Sequence, residues 1–99
     1  MNILLVCAAG MSTSLLVNNM IKAANEKGIE AHIEAHPVSQ SDQYGPNSDV
    51  ILLGPQVRYE LNKMKSKYPD KPVEMINMQD YGRMDGVKVL QTALDLIKK

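Results

Sequence analysis

What most restricts the fold of this chain is a repeated change of period, from short apolar runs that stop at small or turn-forming residues to stretches with helical spacing. Asn2-Ile-Leu-Leu-Val6 runs into Cys7-Ala-Ala-Gly10, the pattern of a strand buried on both faces. From Ser12 onward, Leu16, Met20, Ala23 and Ala24 recur at helical spacing with Asn18, Asn19, Lys22 and Asn25 between them, which predicts a first helix. Ser12, Thr13 and Ser14 offer capping oxygens at its start, and Gly28 supplies a left-handed position beyond its end.

The next segment alternates, Ile29, Ala31, Ile33 and Ala35 against Glu30, His32, Glu34 and His36, until Pro37; it reads as an edge strand with one wet face. Ser39 to Ser48 is polar and aperiodic, a loop or at most one helical turn. Asp49-Val-Ile-Leu-Leu-Gly54-Pro55 repeats the design of the first strand. Val57, Leu61, Met64 and Tyr68 then mark one amphipathic helix, closed by Pro69. Val73 to Ile76 is a short strand, Asn77 to Asp85 a turn-rich connection, and Val87, Leu90, Ala93, Leu94 and Ile97 the inner face of a terminal helix ending in Lys98 and Lys99.

Strands alternating with helices over 99 residues predict one α/β domain spanning residues 1–99, an open doubly wound parallel sheet of four strands with helices on both faces. In such sheets the active crevice lies beyond the carboxyl ends of the strands. Cys7–Ser14, Gly54–Gln56 and Asn77–Asp85 are expected to meet there.

Composition narrows the function classes. Eleven Lys and Arg balance eleven Asp and Glu, so the chain lacks the basic excess that draws a protein to nucleic acid or anionic lipid. No run approaches the roughly 18 apolar residues of a membrane span, and the apolar start lacks the basic flank of a signal peptide; a cytoplasmic protein that does not insert into the membrane is expected. Phe and Trp are absent, leaving aliphatic residues and Met to fill the core. The single cysteine, Cys7, rules out an internal disulfide and a Cys-x-x-Cys motif.

That cysteine ends a buried strand, and Ala8, Ala9, Gly10, Met11, Ser12, Thr13 and Ser14 follow it. Small side chains allow the backbone to approach an anion closely, and a helix start adds roughly half a positive charge. The same field favours thiolate over thiol. A nucleophile and a phosphate-sized cradle then coincide, with the sulfur expected to be reachable at the cradle's mouth. Taken singly, the cysteine also reads as a small buried hydrophobe and Ser12-Thr-Ser14 as a cap.

Other phosphate chemistries fail on the same residues. No lysine follows Gly10, as a nucleotide P-loop requires, and the three glycines of a dinucleotide fingerprint are missing. The third strand ends in Leu52-Leu53-Gly54 rather than in an aspartate. Five residues after Cys7 a cysteine phosphatase carries arginine, where this chain has Thr13; without a guanidinium, hydrolysis by water is poorly supported while transfer to a dedicated acceptor still proceeds.

The run Cys7-Ala-Ala-Gly-Met-Ser-Thr-Ser-Leu-Leu-Val17, with Leu52-Leu-Gly-Pro-Gln56, Lys71-Pro-Val73 and Tyr81-Gly-Arg-Met-Asp-Gly86, strongly resembles the enzyme IIB component of the bacterial sugar phosphotransferase system, lactose/cellobiose (chitobiose) type. The resemblance covers essentially the whole chain. It implies a phosphotransferase that accepts a phosphoryl group on Cys7 from a phosphohistidine of enzyme IIA and passes it to a sugar bound by membrane enzyme IIC. It also implies strand order 2-1-3-4 and a shape akin to small tyrosine phosphatases. No cofactor is implied. The sequence holds no IIA or IIC region and starts directly at the first strand without a longer leader, so both partners are expected as separate polypeptides, with the chain monomeric on its own. The transported sugar stays open among cellobiose, chitobiose, lactose and related glucosides. A small cysteine-dependent phosphatase and a regulatory protein of the same fold are the rival readings.

The amides of Ala8 to Ser14 are expected to hold the phosphoryl oxygens, with the three hydroxyls assisting. Met11 reads equally as an exposed partner contact or a packing residue. Pro55, Gln56 and Tyr81 read as contacts to phosphate or partner, Gln56 and Tyr81 equally as turn residues. Asp80 reads as a cap or turn residue before a general acid. His32 and His36 lie on a solvated strand face, not at a metal site, and Lys63, Lys65, Lys67, Lys71 and Lys88 are solvated charges, a subset of them able to steer an acidic IIA surface.

Overall fold

Each of the four apolar runs becomes a strand, because every second residue of each finds a hydrophobic layer on its own side of the sheet. The computed structural model describes residues 1–8 and 14–98. Strands β1 (Asn2–Cys7), β2 (His32–Pro37), β3 (Val50–Leu53) and β4 (Val73–Met75) are all parallel and lie in the order β2-β1-β3-β4. The expected topology is therefore the observed one.

On one face, Ile3, Leu5, Ile33, Val50 and Leu52 pack against helices α1 (Ser14–Glu26) and α5 (Gly86–Lys98). On the other, Leu4, Val6, Ile51, Leu53 and Val73 pack against Val57, Met64 and Tyr68. The buried side of α1 is Leu16, Met20, Ala23 and Ala24, as its spacing predicts, and Gly28 adopts φ +68° beyond its end. α1 begins at Ser14, so Ser14 lies inside the helix rather than capping it. In α5 the inner face includes Val89, whereas Val87 is exposed; the helix starts at Gly86, and that phase turns Val87 outward.

Four segments differ from the sequence reading. β2 begins at His32, not Ile29, because Ile29 and Ala31 leave the ladder to pack on the α1 side of the core. The expected loop at 39–48 is a succession of short helical turns, Val38–Gln40, α2 (Ser41–Tyr44) and Gly45–Asn47. Distant residues hold these turns: Tyr68 Oη donates to the Ser41 carbonyl at 3.2 Å, and Lys71 Nζ donates to the carbonyls of Gly45, Pro46 and Ser48. The single helix expected from Val57 to Tyr68 is a tighter helix over Pro55–Glu60, kinked at Val57 (φ −117°), followed by α3 (Leu61–Lys67). Both halves keep their apolar side inward, so periodicity alone does not reveal the kink. Within the connection at 77–85 lies a short helix, α4 (Met78–Gly82).

Candidate functional site

Parallel pairing brings the carboxyl ends of β1, β3 and β4 to one edge of the sheet. Gly54 N–H donates to the Val6 carbonyl and Ile76 N–H to the Leu53 carbonyl, both at 2.8 Å. The segments after Cys7, Leu53 and Met75 therefore start side by side. A side chain at Gly54 would meet Gln56 Oε1 at 3.0 Å, and Tyr81 Cε2 and the Val6 carbonyl each at 3.6 Å. Tyr81 and the backbone one residue before Cys7 thus flank the same point.

Cys7 closes β1. Exposure rises along this strand from 0% at Val6 to 6% at Cys7, and Ala8 is half-buried. The thiol is thus more enclosed than a fully reachable nucleophile, because Cys7 is a ladder residue of a central strand. Its Sγ–H donates to the His36 carbonyl of β2 at 3.6 Å. Of the predicted cradle, Ala9, Gly10, Met11, Ser12 and Thr13 lie outside the described residues; Ser14 is exposed in the first turn of α1.

Beside this point opens a groove of about 520 Å³, lined by Pro55, Gln56, Arg58, Tyr59, Met78, Tyr81 and Gly82. Pro55, Gln56 and Tyr81 were expected at this edge. Met78 falls in the Asn77–Asp85 segment expected here, whereas Arg58 and Tyr59 were not expected, although they follow Gly54-Pro55 closely enough for their position to have been the signal. Tyr59 is 74% and Met78 60% exposed, large apolar surface of the kind that marks contact sites. Tyr81 is buried, and among the described residues its Oη is the buried side-chain polar atom without a hydrogen-bond partner. Such a group carries a desolvation cost and calls for an explanation.

Local chemistry positions Tyr81. Asn77 Oδ1 accepts from the N–H groups of Gln79 (2.9 Å) and Asp80 (3.2 Å), capping α4. The cap is Asn77, and Asp80 occupies the first turn that Asn77 caps. An Asn immediately before Met78-Gln-Asp was a readable signal that the sequence reasoning passed over.

β2 carries a row of ionisable side chains. His32 Nε2 donates to Glu34 Oε2 at 2.8 Å, and His36 Nε2 lies 3.4 Å from Glu34 Oε1. The bond from His32 holds the Glu34 carboxyl below its ordinary range; burial opposes it, and His36 adds to the lowering. The His36 ring stacks on Tyr44, centroids 3.6 Å apart and planes 1° from parallel. Among the described residues, no group of three His, Cys, Asp or Glu is placed to hold a metal ion, and no helix is long and apolar enough to cross a membrane.

Residues 2–92 match the family model for the lactose/cellobiose-specific IIB subunit of the phosphotransferase system. The chain is 45% identical over 102 aligned positions to a galactose-specific EIIB component of Lactococcus lactis subsp. cremoris, covering 96% of this chain and 94% of that one. A solution structure of a cellobiose-specific phosphotransferase IIB component from Borrelia burgdorferi superposes with a TM-score of 0.83 at 45% identity, covering 99% of this chain and 92% of that one. A lactose-specific EIICB component of Lactococcus lactis is 27% identical over 79% of this chain, which spans 14% of that longer protein.

Proposed function

Because the chain belongs to the lactose/cellobiose-specific IIB family of the sugar phosphotransferase system and is a phosphotransferase component, we propose that it carries the phosphoryl group on Cys7 between an EIIA donor and a sugar held by EIIC. The observation that carries the reading is the placement of the sole cysteine at the carboxyl end of a central parallel strand, where the ends of β3 and β4 and the 520 Å³ groove converge.

In the first transfer the Cys7 sulfur, as thiolate, attacks phosphorus of an EIIA phosphohistidine. The S–P bond forms, the N–P bond breaks, and its electron pair returns to the imidazole. In the second, a sugar hydroxyl attacks phosphorus, the S–P bond breaks, the thiolate leaves and the hydroxyl proton passes to a base. Amides of Ala8 to Ser14 and the hydroxyls of Ser12, Thr13 and Ser14 hold the phosphoryl oxygens. Pro55, Gln56 and Tyr81, with exposed Tyr59 and Met78, form the contact edge for the partner. Work of this kind places the chain on the cytoplasmic side of a membrane, docked to EIIC by turns.

The test is incubation of the full chain with a phosphorylated EIIA, followed by intact-mass spectrometry. One acid-stable or base-stable phosphoryl adduct on wild type and none on Cys7→Ser supports the reading. Modification of both proteins, or steady release of phosphate from an aryl phosphate by the chain alone, rejects it.

A further inference from the structure

The chain turns a sharp corner between α4 and α5, and the residues that hold this corner have no part in the transfer described above. We propose that Asn19 is a positioning residue for phosphoryl transfer: its side-chain amide holds Met84 in a left-handed backbone conformation, and the corner so fixed sets Tyr81 against the helix that begins in the phosphoryl cradle. The proposal rests on the reading of Cys7 as phosphoryl acceptor and of Tyr81 as part of the transfer edge.

The corner carries the hydrogen bonds of a glycine-type helix stop. Met84 N–H donates to the Tyr81 carbonyl at 3.0 Å and Asp85 N–H to the Asp80 carbonyl at 2.9 Å, the paired bonds that close a helix when the residue after its cap turns left-handed. That residue is usually glycine, because a Cβ there crowds the following carbonyl. Here it is Met84, at φ +52°, which among the described residues is the non-glycine position with positive φ. A conformation that the side chain disfavours needs a hold from outside the corner.

Asn19 supplies it. Its Nδ2 donates to the Met84 carbonyl at 2.8 Å, across 65 residues of chain. The Met84 side chain packs on the core layer that contains Leu16, Met20 and Tyr81, and two residues on, Gly86 abuts the backbone at Asn19 and Met20. The corner is thus seated on α1 by side chain and backbone together. Ser14, the last residue of the proposed cradle, is the first of α1, and Asn19 follows about 7.5 Å further along the axis. One helix therefore carries the end of the cradle and, less than two turns on, the bond that fixes the corner to which Tyr81 belongs. Loss of that bond frees Met84 to leave the left-handed region, and the pair of bonds that ends α4 at Tyr81 and Asp80 goes with it.

Two readouts on the full chain test this. The first is the rate of phosphoryl transfer from phosphorylated EIIA to Cys7, by rapid quench at saturating EIIA. The second, which needs no phosphate, is the nuclear Overhauser cross-peak between the amide proton and Hα of residue 84, strongest at positive φ because the two protons lie closest there. Asn19→Ala and Asn19→Leu both remove the donor; alanine favours the helix and leucine keeps the volume, so each serves if the other does not fold. Both are expected to weaken the cross-peak and to slow transfer by about three- to tenfold, the equivalent of one lost hydrogen bond. Asparagine adopts the left-handed conformation more readily than methionine, so adding Met84→Asn to either variant is expected to restore the cross-peak and to bring transfer within about twofold of wild type. Wild-type transfer in the Asn19 variants, slowed transfer with the cross-peak at full strength, or a restored cross-peak without restored transfer each overturns the proposal. If wild type takes no phosphate from EIIA, or Cys7→Ser takes as much, while the cross-peak responds as expected, the acceptor reading fails and the hold of Asn19 on Met84 stands.

Discussion

Lys71 Nζ donates to the Gly45 carbonyl at 2.9 Å, across 26 residues of chain, and the same ammonium reaches Pro46 (3.1 Å) and Ser48 (2.9 Å). A lysine that sequence reasoning places among solvated charges is thus the clamp on a helical segment. Charge-assisted bonds to carbonyls are worth more than ordinary ones. Lys71→Met is expected to destabilise the protein by about 1–3 kcal/mol, measured as a lower urea midpoint with an unchanged slope. An unchanged midpoint would show the clamp to be without energetic weight.

Gly86, the first residue of α5, abuts the backbone of α1. A Cβ there would lie 2.4 Å from Asn19 C, 2.5 Å from Met20 N and 2.6 Å from Asn19 O. These are backbone atoms, which yield only by moving the helix. Gly86→Ala is expected to cost about 1–3 kcal/mol through overpacking, and the melting temperature reports it as a fall of about 4–8 °C per kcal/mol for a domain of this size.

Glu34 links stability to pH. Its carboxyl is held below the ordinary glutamate range, first by the hydrogen bond from His32. A depressed carboxyl contributes stability above its unfolded value, and that contribution disappears as pH falls through the folded value. The stability difference between wild type and Glu34→Gln is therefore expected to be constant from neutral pH down to about 4.5 apart from changes in histidine charge, and to shrink below it. Urea titrations at stepped acidic pH decide this; a difference that grows as pH falls below about 4.5 contradicts the assignment. Because Glu34 is largely exposed, the effect is small.

Tyr81 separates packing from chemistry. Its ring is buried beside Gly54, and its Oη has no hydrogen-bond partner among the described residues. Removing an unsatisfied hydroxyl costs little, so Tyr81→Phe is expected to keep its stability within about 1 kcal/mol of wild type. If the hydroxyl serves the phosphoryl group, transfer from EIIA to Cys7 slows by about tenfold, the rate equivalent of one such bond. Equal transfer rates in a rapid-quench comparison assign Tyr81 to packing alone.

Local periodicity was enough to read the strands, the inner face of α1 and the edge of the sheet at which Cys7, Gly54 and Tyr81 gather. Those features depend on residues two to four apart, and burial acts on them directly. The wet face of β2 was legible for the same reason: His32, Glu34 and His36 take the side that Leu4 and Val6 occupy on the neighbouring strand, and at the sheet's edge that side is only partly covered. The Asn77 cap lay within reach of the same reasoning, since the donor and acceptor are two and three residues apart.

What the sequence determined by itself, then, is the order of strands and helices and the position of the one thiol, because these follow from the spacing of apolar residues along the chain. Only the tertiary structure decided that the polar stretch at 38–47 is helical, that Arg58, Tyr59 and Met78 share a groove, and that the Cys7 thiol donates to the His36 carbonyl. Each of these joins residues far apart in the chain: Tyr68 with Ser41, Lys71 with Gly45, Tyr59 with Met78, Cys7 with His36. Such pairings exist only once the sheet has assembled, since the partners are brought within bonding distance by burial elsewhere and not by any preference of their own.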